Sequence, residues 1–214
     1  MKNIVILNID YLSNKLIAYI ELLKPRLSFL VAFSAAFGFL LGTDGIPDLS
    51  ILLMLSLGSF LISGAAVTIN QIIERNLDAL MKRTSERPLP TSKITHQEAI
   101  IYGAIVFFIG AFLVAYNTNF FAIILAILSL IIYAFMYTPL KRVGPIAVFI
   151  GAIPGALPPL IGWVAATNTL SYEAWIIFGI QFIWQFPHFW AIAWVSDDDY
   201  KLSLIHISEP TRPY

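Results

Sequence analysis

Six long apolar segments determine what this 214-residue chain can fold into. They cover residues 16–42, 49–80, 97–116, 119–137, 146–166 and 174–195. Each segment is long enough to cross the hydrocarbon layer of a membrane as a helix, which takes about 20 residues. Only 12% of the residues are charged, about half the share in a soluble domain. The sequence therefore predicts an all-α, polytopic transmembrane helix bundle with six spans.

Two segments carry local signals of their own. The fifth contains Pro154, Pro158 and Pro159. Prolines are tolerated in a span where neighbours or water satisfy the freed backbone groups, so we expect a kinked helix that is packed inside. Thr95 and Glu98 precede the third segment with the spacing of a capping box, which predicts where that helix begins.

Basic residues occupy alternate loops of the predicted bundle. The loops and ends that contain them carry Lys15, Lys24, Arg26, Lys82, Arg83, Arg87, Lys93, Lys141, Arg142 and Lys201. The intervening loops, 43–48, 117–118 and 167–173, contain neither Lys nor Arg. Because cytoplasmic loops carry an excess of these residues, we expect a multi-pass protein of the cell membrane whose N-terminus and basic loops are cytoplasmic.

The second segment ends in three polar side chains spaced by four residues, Asn70, Glu74 and Asp78. This spacing places them on one face of a helix, and one or two carboxylates plus substrate phosphates typically hold Mg²⁺. Three cations follow: Lys82, Arg83 and Arg87. The pattern predicts a metal and diphosphate site at the membrane edge. The alternative is a solvated helix end with local charge pairs to Lys82, although Asn70 lies inside the apolar run, where an unbonded amide is costly.

Two further polar groups lie in or beside the sixth segment. Asp197, Asp198 and Asp199 follow it. Adjacent carboxylates repel one another unless a cation relieves them, so a second metal site and a solvated acidic run both fit. Gln185 and His188 lie inside the segment, three residues apart and on one face. They either line a cavity or bond to backbone carbonyls in the core.

Several motifs, in order along the chain, resemble the UbiA family of intramembrane prenyltransferases. Residues 70–89 follow the family's first signature, N-x-x-x-E-x-x-x-D-x-x-M-x-R-T-x-x-R-P-L. Y-T-P-L-K-R at 137–142, G-A-L-P-P-L-I-G-W at 155–163 and W-Q-F-P-H-F at 184–189 are similar to the members that prenylate heme. L-K-P-R at 23–26 also fits, and the resemblance covers roughly residues 19–201.

The resemblance implies a nine-helix bundle in which two acidic motifs face each other over Mg²⁺. It implies transfer of a farnesyl group from farnesyl diphosphate to a vinyl group of heme B. The residues that match the family's metal motifs are Asn70, Glu74, Asp78, Asp198 and Asp199. No nucleic-acid partner is expected, and contact with heme A synthase or a terminal oxidase assembly is a further hypothesis.

Charge and side of the membrane suggest the remaining roles. We expect the diphosphate to be bound by Lys82, Arg83, Arg87, Lys141 and Arg142, and the heme by Lys24, Arg26, Gln185 and His188. One alternative is a UbiA-type enzyme that acts on an aromatic quinone precursor or a chlorophyll-like acceptor. Another is an ion-transporting membrane protein, which should carry its acidic groups near the bilayer midplane rather than at one interface.

The end of the sequence departs from the family pattern. Family members continue past the Asp-Tyr pair at 199–200 with further membrane helices, whereas residues 202–214 resemble a translated sequencing adaptor. We therefore expect residues 1–201 to be the N-terminal two thirds of a prenyltransferase domain, with six of nine spans, and residues 202–214 to be a non-native tail. Such a chain should be inactive alone; the alternative is a genuinely short family member.

Overall fold

The computed structural model describes residues 2–195, which form a series of helices joined by short loops. These are α1 (Lys2–Leu22), α2 (Pro25–Gly42), α3 (Leu49–Asp78), α4 (His96–Asn117), α5 (Phe120–Ile131), the π-helix π1 (Ile132–Tyr137), α6 (Thr138–Leu140), α7 (Ile146–Thr167) and α8 (Tyr172–Val195). The predicted all-α class is confirmed for this part of the chain. The boundary at residue 201 and the tail lie outside the described residues and stay predictions.

Five helical stretches are long and apolar enough to cross a membrane: α2, α3, α4, Phe120–Leu140 and α7. The sixth predicted segment forms the helix α8, and its crossing of the membrane stays a prediction. The prediction that the first segment forms a single helix is wrong, because the helix is interrupted between Leu22 and Pro25. Proline disfavours helical geometry in the residue before it, and Lys24 accordingly adopts a left-handed conformation with φ 43°.

Polar side chains of α3 stabilise this break. The carbonyl of Leu22 accepts hydrogen bonds from Gln71 Nε2 at 2.8 Å and from Thr68 Oγ1 at 3.3 Å. The Ser28 hydroxyl donates to the Leu23 carbonyl at 2.7 Å. The carbonyls left open at the end of α1 thus find partners within the protein, and Lys24 is fixed beside the end of α3.

Helix α7 lies at the centre of the bundle. Of the five candidate spans it is the most buried, at 67% of its apolar window, so the prediction of an inside helix is confirmed. It runs without interruption through Pro154, Pro158 and Pro159. It crosses α2 with direct backbone approach: a Cβ atom on Gly162 would lie 1.9 Å from the Ala35 carbonyl oxygen.

Side-chain caps lie at both ends of α4, where α4 itself and α5 begin. Thr95 Oγ1 accepts from the Glu98 amide at 3.2 Å while Glu98 Oε2 accepts from the Thr95 amide at 2.9 Å, which confirms the predicted capping box. At the other end, Asn119 accepts from the Ala122 amide at 3.0 Å and donates to the Val164 carbonyl on α7 at 2.7 Å. The short turn between α4 and α5 is therefore tied to α7.

Candidate functional site

A cavity of about 300 Å³ lies among α2, α3, α5, π1, α7 and α8. Most of its lining is aliphatic, and its polar side chains include Tyr133, Tyr137, Lys141, Gln185 and His188. The sequence left two readings for Gln185 and His188, and the structure confirms that both line a cavity. Gln185 also donates to the Gly155 carbonyl at 3.4 Å, so the two readings are compatible for this residue.

Two glycines of α7 leave space for the side chains of Gln185 and Tyr137. A Cβ atom on Gly155 would lie 2.6 Å from Gln185 Cδ, and one on Gly151 would lie 2.6 Å from Tyr137 Cδ2. Both distances are shorter than real Cβ contacts allow. The cavity wall therefore depends on backbone without side chains at these two positions.

The three polar residues of α3 point into the protein. Asn70, Glu74 and Asp78 are 4%, 6% and 1% exposed. Asn70 Nδ2 donates to Glu74 Oε2 at 2.9 Å, so these two side chains share a face as the spacing predicts. This burial excludes the alternative of a solvated helix end. Buried carboxylates require compensation by cations or hydrogen bonds.

A cation from a distant part of the chain and one from the loop that follows α3 provide that compensation. Lys141 Nζ lies 3.1 Å from both carboxylate oxygens of Glu74, and Arg87 donates to Asp78 Oδ2 at 2.6 Å. Lys82, the local partner considered above, is exposed. Asp78 Oδ1 is buried without a hydrogen-bond partner among the described residues. One carboxylate oxygen is therefore still available to a ligand.

The loop after α3 folds back under the helix end. The Thr84 hydroxyl donates to the Asp78 carbonyl at 2.8 Å, and Thr84, Pro88 and Leu89 are buried. Leu89 belongs to the same buried apolar cluster as Leu22 of α1. These contacts bring Arg87 to Asp78, while Arg83 stays exposed at the same end of the bundle.

Lys24 interacts electrostatically with the charged residues of this site. Burial and the neighbouring cations Arg87, Lys141 and Arg83 lower the pKa of Lys24 from 10.5 to about 8, while Asp78 acts in the opposite direction. Four cations, Lys24, Arg83, Arg87 and Lys141, thus lie around two carboxylates, Glu74 and Asp78. We call these six residues the cationic end; four positive minus two negative charges leave an excess of two, which favours an anion.

The remaining predicted site residues are exposed or lie outside the described residues. Arg142 and Arg26 are exposed, and Asp198 and Asp199 lie outside the described residues.

Within residues 2–195, the structure contains no group of three His, Cys, Asp or Glu side chains that would hold a metal ion. The oxygen donors of Asn70, Glu74 and Asp78 nevertheless fit a hard cation, since Asp78 Oδ1 is a buried acceptor without a partner.

Sequence reasoning missed one residue of this site, Thr138. It is fully buried, and its Oγ1 accepts from Asn70 Nδ2 at 3.0 Å. Thr138 directly follows π1, and single-turn π-helices often occur at functional sites. The available signal was the position of Thr138 inside the quoted 137–142 motif, three residues before Lys141.

Fold and site together define a class: a membrane-spanning helix bundle in which buried carboxylates and excess cations adjoin a largely apolar cavity through Lys141. The model of the UbiA prenyltransferase family matches residues 31–207. The chain belongs to this family.

Comparisons with individual proteins agree with this membership. The chain is 51% identical over 195 residues to a protoheme IX farnesyltransferase of Cytophaga hutchinsonii, covering 91% of this chain and 68% of the relative. It is 46% identical over 181 residues to a protoheme IX farnesyltransferase of Christiangramia forsetii, covering 85% and 60%. The chain thus spans about two thirds of the length of these relatives.

The fold is also similar to that of a solved structure, a UbiA homolog from Archaeoglobus fulgidus bound to GPP and Mg²⁺. The TM-score is 0.72 at 20% sequence identity, and the match covers 88% of this chain and 66% of the other. At this identity the likeness shows the shared fold of the helix bundle.

Proposed function

We propose that this protein is a heme-prenylating enzyme, which transfers the farnesyl group of farnesyl diphosphate to a vinyl carbon of heme B. The observation that carries the proposal is the 51% identity, over 91% of the chain, to a relative named protoheme IX farnesyltransferase. The site supports it, because a diphosphate with a long apolar tail matches a cationic end that adjoins a largely apolar cavity at Lys141. The cavity volume of about 300 Å³ lies at the lower limit for ligand pockets.

In this proposal the cationic end binds the diphosphate. Arg87 and Lys141 are partly buried, each against a buried carboxylate, and the exposed Lys82, Arg83 and Arg142 extend the positive surface outward. Lys24 lies among these cations, which favours a diphosphate contact over the heme propionate contact expected from sequence. Fixed positive charge of this kind stabilises the negative charge that develops on the leaving group.

Asn70, Glu74 and Asp78, together with Asp198 and Asp199, would hold Mg²⁺. When bound there, Mg²⁺ supplies positive charge next to the diphosphate oxygens. The Mg²⁺ and GPP found in the Archaeoglobus fulgidus homolog support this assignment. The side chains of α3 then have two tasks, which are to hold the cation through their oxygens and to fix Lys141 and Arg87 in place.

The cavity would hold the reacting carbons away from bulk water. The bond between the farnesyl C1 and the diphosphate oxygen breaks, and the heme vinyl carbon forms a bond to C1. Water adds to the resulting cation and loses a proton, which gives a hydroxyethylfarnesyl substituent. Gln185 and His188 line the cavity and would orient the heme or that water; the exposed Arg26 would pair with a propionate.

The loop pattern supports a cytoplasmic site and N-terminus in a cell membrane. Lys24, Arg83, Arg87 and Lys141 come from three separate basic regions yet act on one another electrostatically, as expected if these regions share one side. A contact with heme A synthase or a terminal oxidase assembly stays a hypothesis.

The test is a product assay with two matched samples. Membranes containing the 214-residue chain, and membranes containing its residues 1–201 joined to the remaining third of the Cytophaga hutchinsonii relative, are incubated with heme B, farnesyl diphosphate and Mg²⁺. We expect mass spectrometry to detect hydroxyethylfarnesyl-heme with the extended chain. Prenylation of an aromatic quinone precursor but not of heme would overturn the assignment in favour of another UbiA-type acceptor.

An ion-transport function is disfavoured by the same geometry. Glu74 and Asp78 lie in the last turns of α3 and are paired with Lys141 and Arg87. Acidic groups of an ion path should lie near the bilayer midplane. Vesicles containing the chain should therefore show no cation flux above that of empty vesicles.

A further inference from the structure

We infer that Thr138 is a positioning residue, which orients the Asn70 side chain so that its amide oxygen, and not its nitrogen, faces the metal. This inference rests on the proposed function, since it assigns a task within the proposed Mg²⁺ site. It follows from the hydrogen bonds that Thr138 makes on either side and from the π-helix that precedes it.

The hydroxyl proton of Thr138 has a fixed partner. Thr138 Oγ1 donates to the Tyr133 carbonyl at 2.9 Å, and the Thr138 amide donates to the same carbonyl. A hydroxyl has one proton, so toward Asn70 the Thr138 oxygen acts only as an acceptor. Because Thr138 is fully buried, water does not compete for this arrangement.

Asn70 must therefore present a donor to Thr138. Its Nδ2 donates to Thr138 Oγ1 at 3.0 Å and to Glu74 Oε2 at 2.9 Å. An amide nitrogen carries two protons, and both are used. The amide group cannot rotate by 180° without placing its oxygen against two acceptors, so its oxygen is directed away from Thr138 Oγ1 and Glu74 Oε2 and is the atom of Asn70 left to bind a cation.

The π-helix places Thr138 in this position. In π1 the amide of residue 138 bonds five residues back instead of four, which inserts one extra residue into the turn. Pro139 gives a physical reason, because a proline ring in a regular helix clashes with the carbonyl four residues back. The same register carries Lys141 to Glu74, with Nζ 3.1 Å from both oxygens. One short segment thus positions two of the α3 side chains.

The test is direct metal binding, measured on the purified 214-residue chain in detergent by Mn²⁺ electron paramagnetic resonance with inorganic pyrophosphate present. Thr138→Val keeps the shape and removes the hydroxyl, and Thr138→Ser keeps the hydroxyl. We expect Thr138→Val to weaken Mn²⁺ binding about 10- to 100-fold, as loss of a group that orients a metal ligand typically does, and Thr138→Ser to bind within about threefold of the unsubstituted chain.

A double-mutant cycle separates positioning from general damage. If Thr138 acts through Asn70, then Thr138→Val causes no further loss of Mn²⁺ affinity in an Asn70→Ala background. Thr118→Val is the matched control, since it removes a hydroxyl bond to the Val114 carbonyl of 2.6 Å far from the site. Circular dichroism checks that each variant is folded, and Thr138→Ala replaces Thr138→Val if the latter unfolds.

The outcomes are distinct. Equal Mn²⁺ affinity of folded Thr138→Val and the unsubstituted chain would overturn the positioning role, as would equal losses in the Thr138→Val and Thr138→Ser variants. An undiminished effect of Thr138→Val in the Asn70→Ala background would do the same. If the unsubstituted chain itself binds no Mn²⁺ with pyrophosphate, the metal role in the proposed function fails first, and this inference fails with it.

Discussion

The cationic end and the crossing of α2 with α7 are held together by different forces. At the cationic end, oppositely charged side chains meet: Glu74 with Lys141, 67 residues apart, and Asp78 with Arg87, nine residues apart. At the crossing, the backbones of α2 and α7 approach each other directly. A Cβ atom on Gly38 would lie 2.0 Å from the Pro159 carbonyl oxygen, and one on Gly162 would lie 1.9 Å from the Ala35 carbonyl oxygen.

The two regions should therefore contribute differently to folding and to ligand binding. Close-packed backbone gives stability and shape that do not depend on a ligand. Buried ion pairs contribute little net stability, although breaking one by removing a single partner is costly. They do keep polar groups oriented inside the protein, where a metal and an anion would bind. Changes at the crossing should therefore affect folding, whereas changes at the cationic end should affect binding as well.

The largest stability change should follow from Lys141→Met, which leaves Glu74 buried without its cation. We expect a loss of roughly 3–5 kcal/mol in the free energy of unfolding, measured by denaturant titration in mixed micelles. The Lys15–Glu98 pair is the matched control, since its side chains are 26% and 32% exposed. Lys15→Met should leave the free energy of unfolding close to that of the unsubstituted chain, because exposed ion pairs contribute little.

A double variant decides whether the charge or the packing of Lys141 matters. Glu74→Gln combined with Lys141→Met removes both charges and should recover most of the lost stability. It should not recover Mn²⁺ binding, because a proposed ligand is lost. If the double variant is as unstable as Lys141→Met alone, the ion pair is not the reason for the loss.

Asp78→Asn should have the next largest effect, and it should be on catalysis. Removing one charge-stabilising group from an active site typically reduces the rate about 10²- to 10³-fold. Prenyl transfer by the extended chain in the product assay measures this loss. Asp48→Asn is the control at the opposite end of the same helix, where Asp48 caps α3 by accepting from Ser50 and Ile51. Asn caps as well as Asp does, so its rate should not change.

The sequence predicts much of the cationic end. The spacing of Asn70, Glu74 and Asp78 shows that they share a face, and their position in an apolar run indicates burial. The particular pairs, Glu74 with Lys141 and Asp78 with Arg87, were not predictable. Helical periodicity describes neighbours on one element, and it does not say which loop folds back against that element.

Two local features were missed for a related reason. The break at Lys24 and the π-helix before Thr138 both lie next to a proline, Pro25 or Pro139. Each interrupts a stretch that hydropathy treats as continuous, because hydropathy averages over the apolar side chains and does not register backbone geometry. The proline alone does not decide between a break, as at Lys24, and a widened turn, as at residues 132–137.

At the helix crossing, Gly162→Ala should destabilise the fold by about 1–3 kcal/mol, because overpacking forces backbone shifts. The neighbouring atom is a backbone oxygen and has no rotamer to change. Gly179→Ala is the control, since a Cβ atom on Gly179 of α8 would have no neighbour within 4 Å. It should be neutral or slightly stabilising through helix propensity. Equal thermal stability of the two variants would contradict the close approach seen at the crossing.

The smallest expected effect is a pH dependence of anion binding that depends on Lys24. The folded-state pKa of Lys24, about 8, lies below the usual 10.5, so the fold disfavours the protonated amine. Between these two values the unfolded chain binds more protons, and stability should rise with pH in that window. A bound anion favours the protonated amine, so pyrophosphate affinity should fall as pH rises through 8, by less than about tenfold.

Isothermal titration with pyrophosphate between pH 7 and about 9.5, a range that brackets the Lys24 pKa of about 8, measures this effect. Lys24→Arg keeps a charge that does not titrate in this range, so it should bind pyrophosphate and lose this part of the pH dependence. Lys93→Arg, at an exposed loop position, should retain the full dependence and so corrects for titration of pyrophosphate itself. Identical pH profiles for the two variants would remove Lys24 from the cationic end and would restore its assignment to a heme propionate as the better hypothesis.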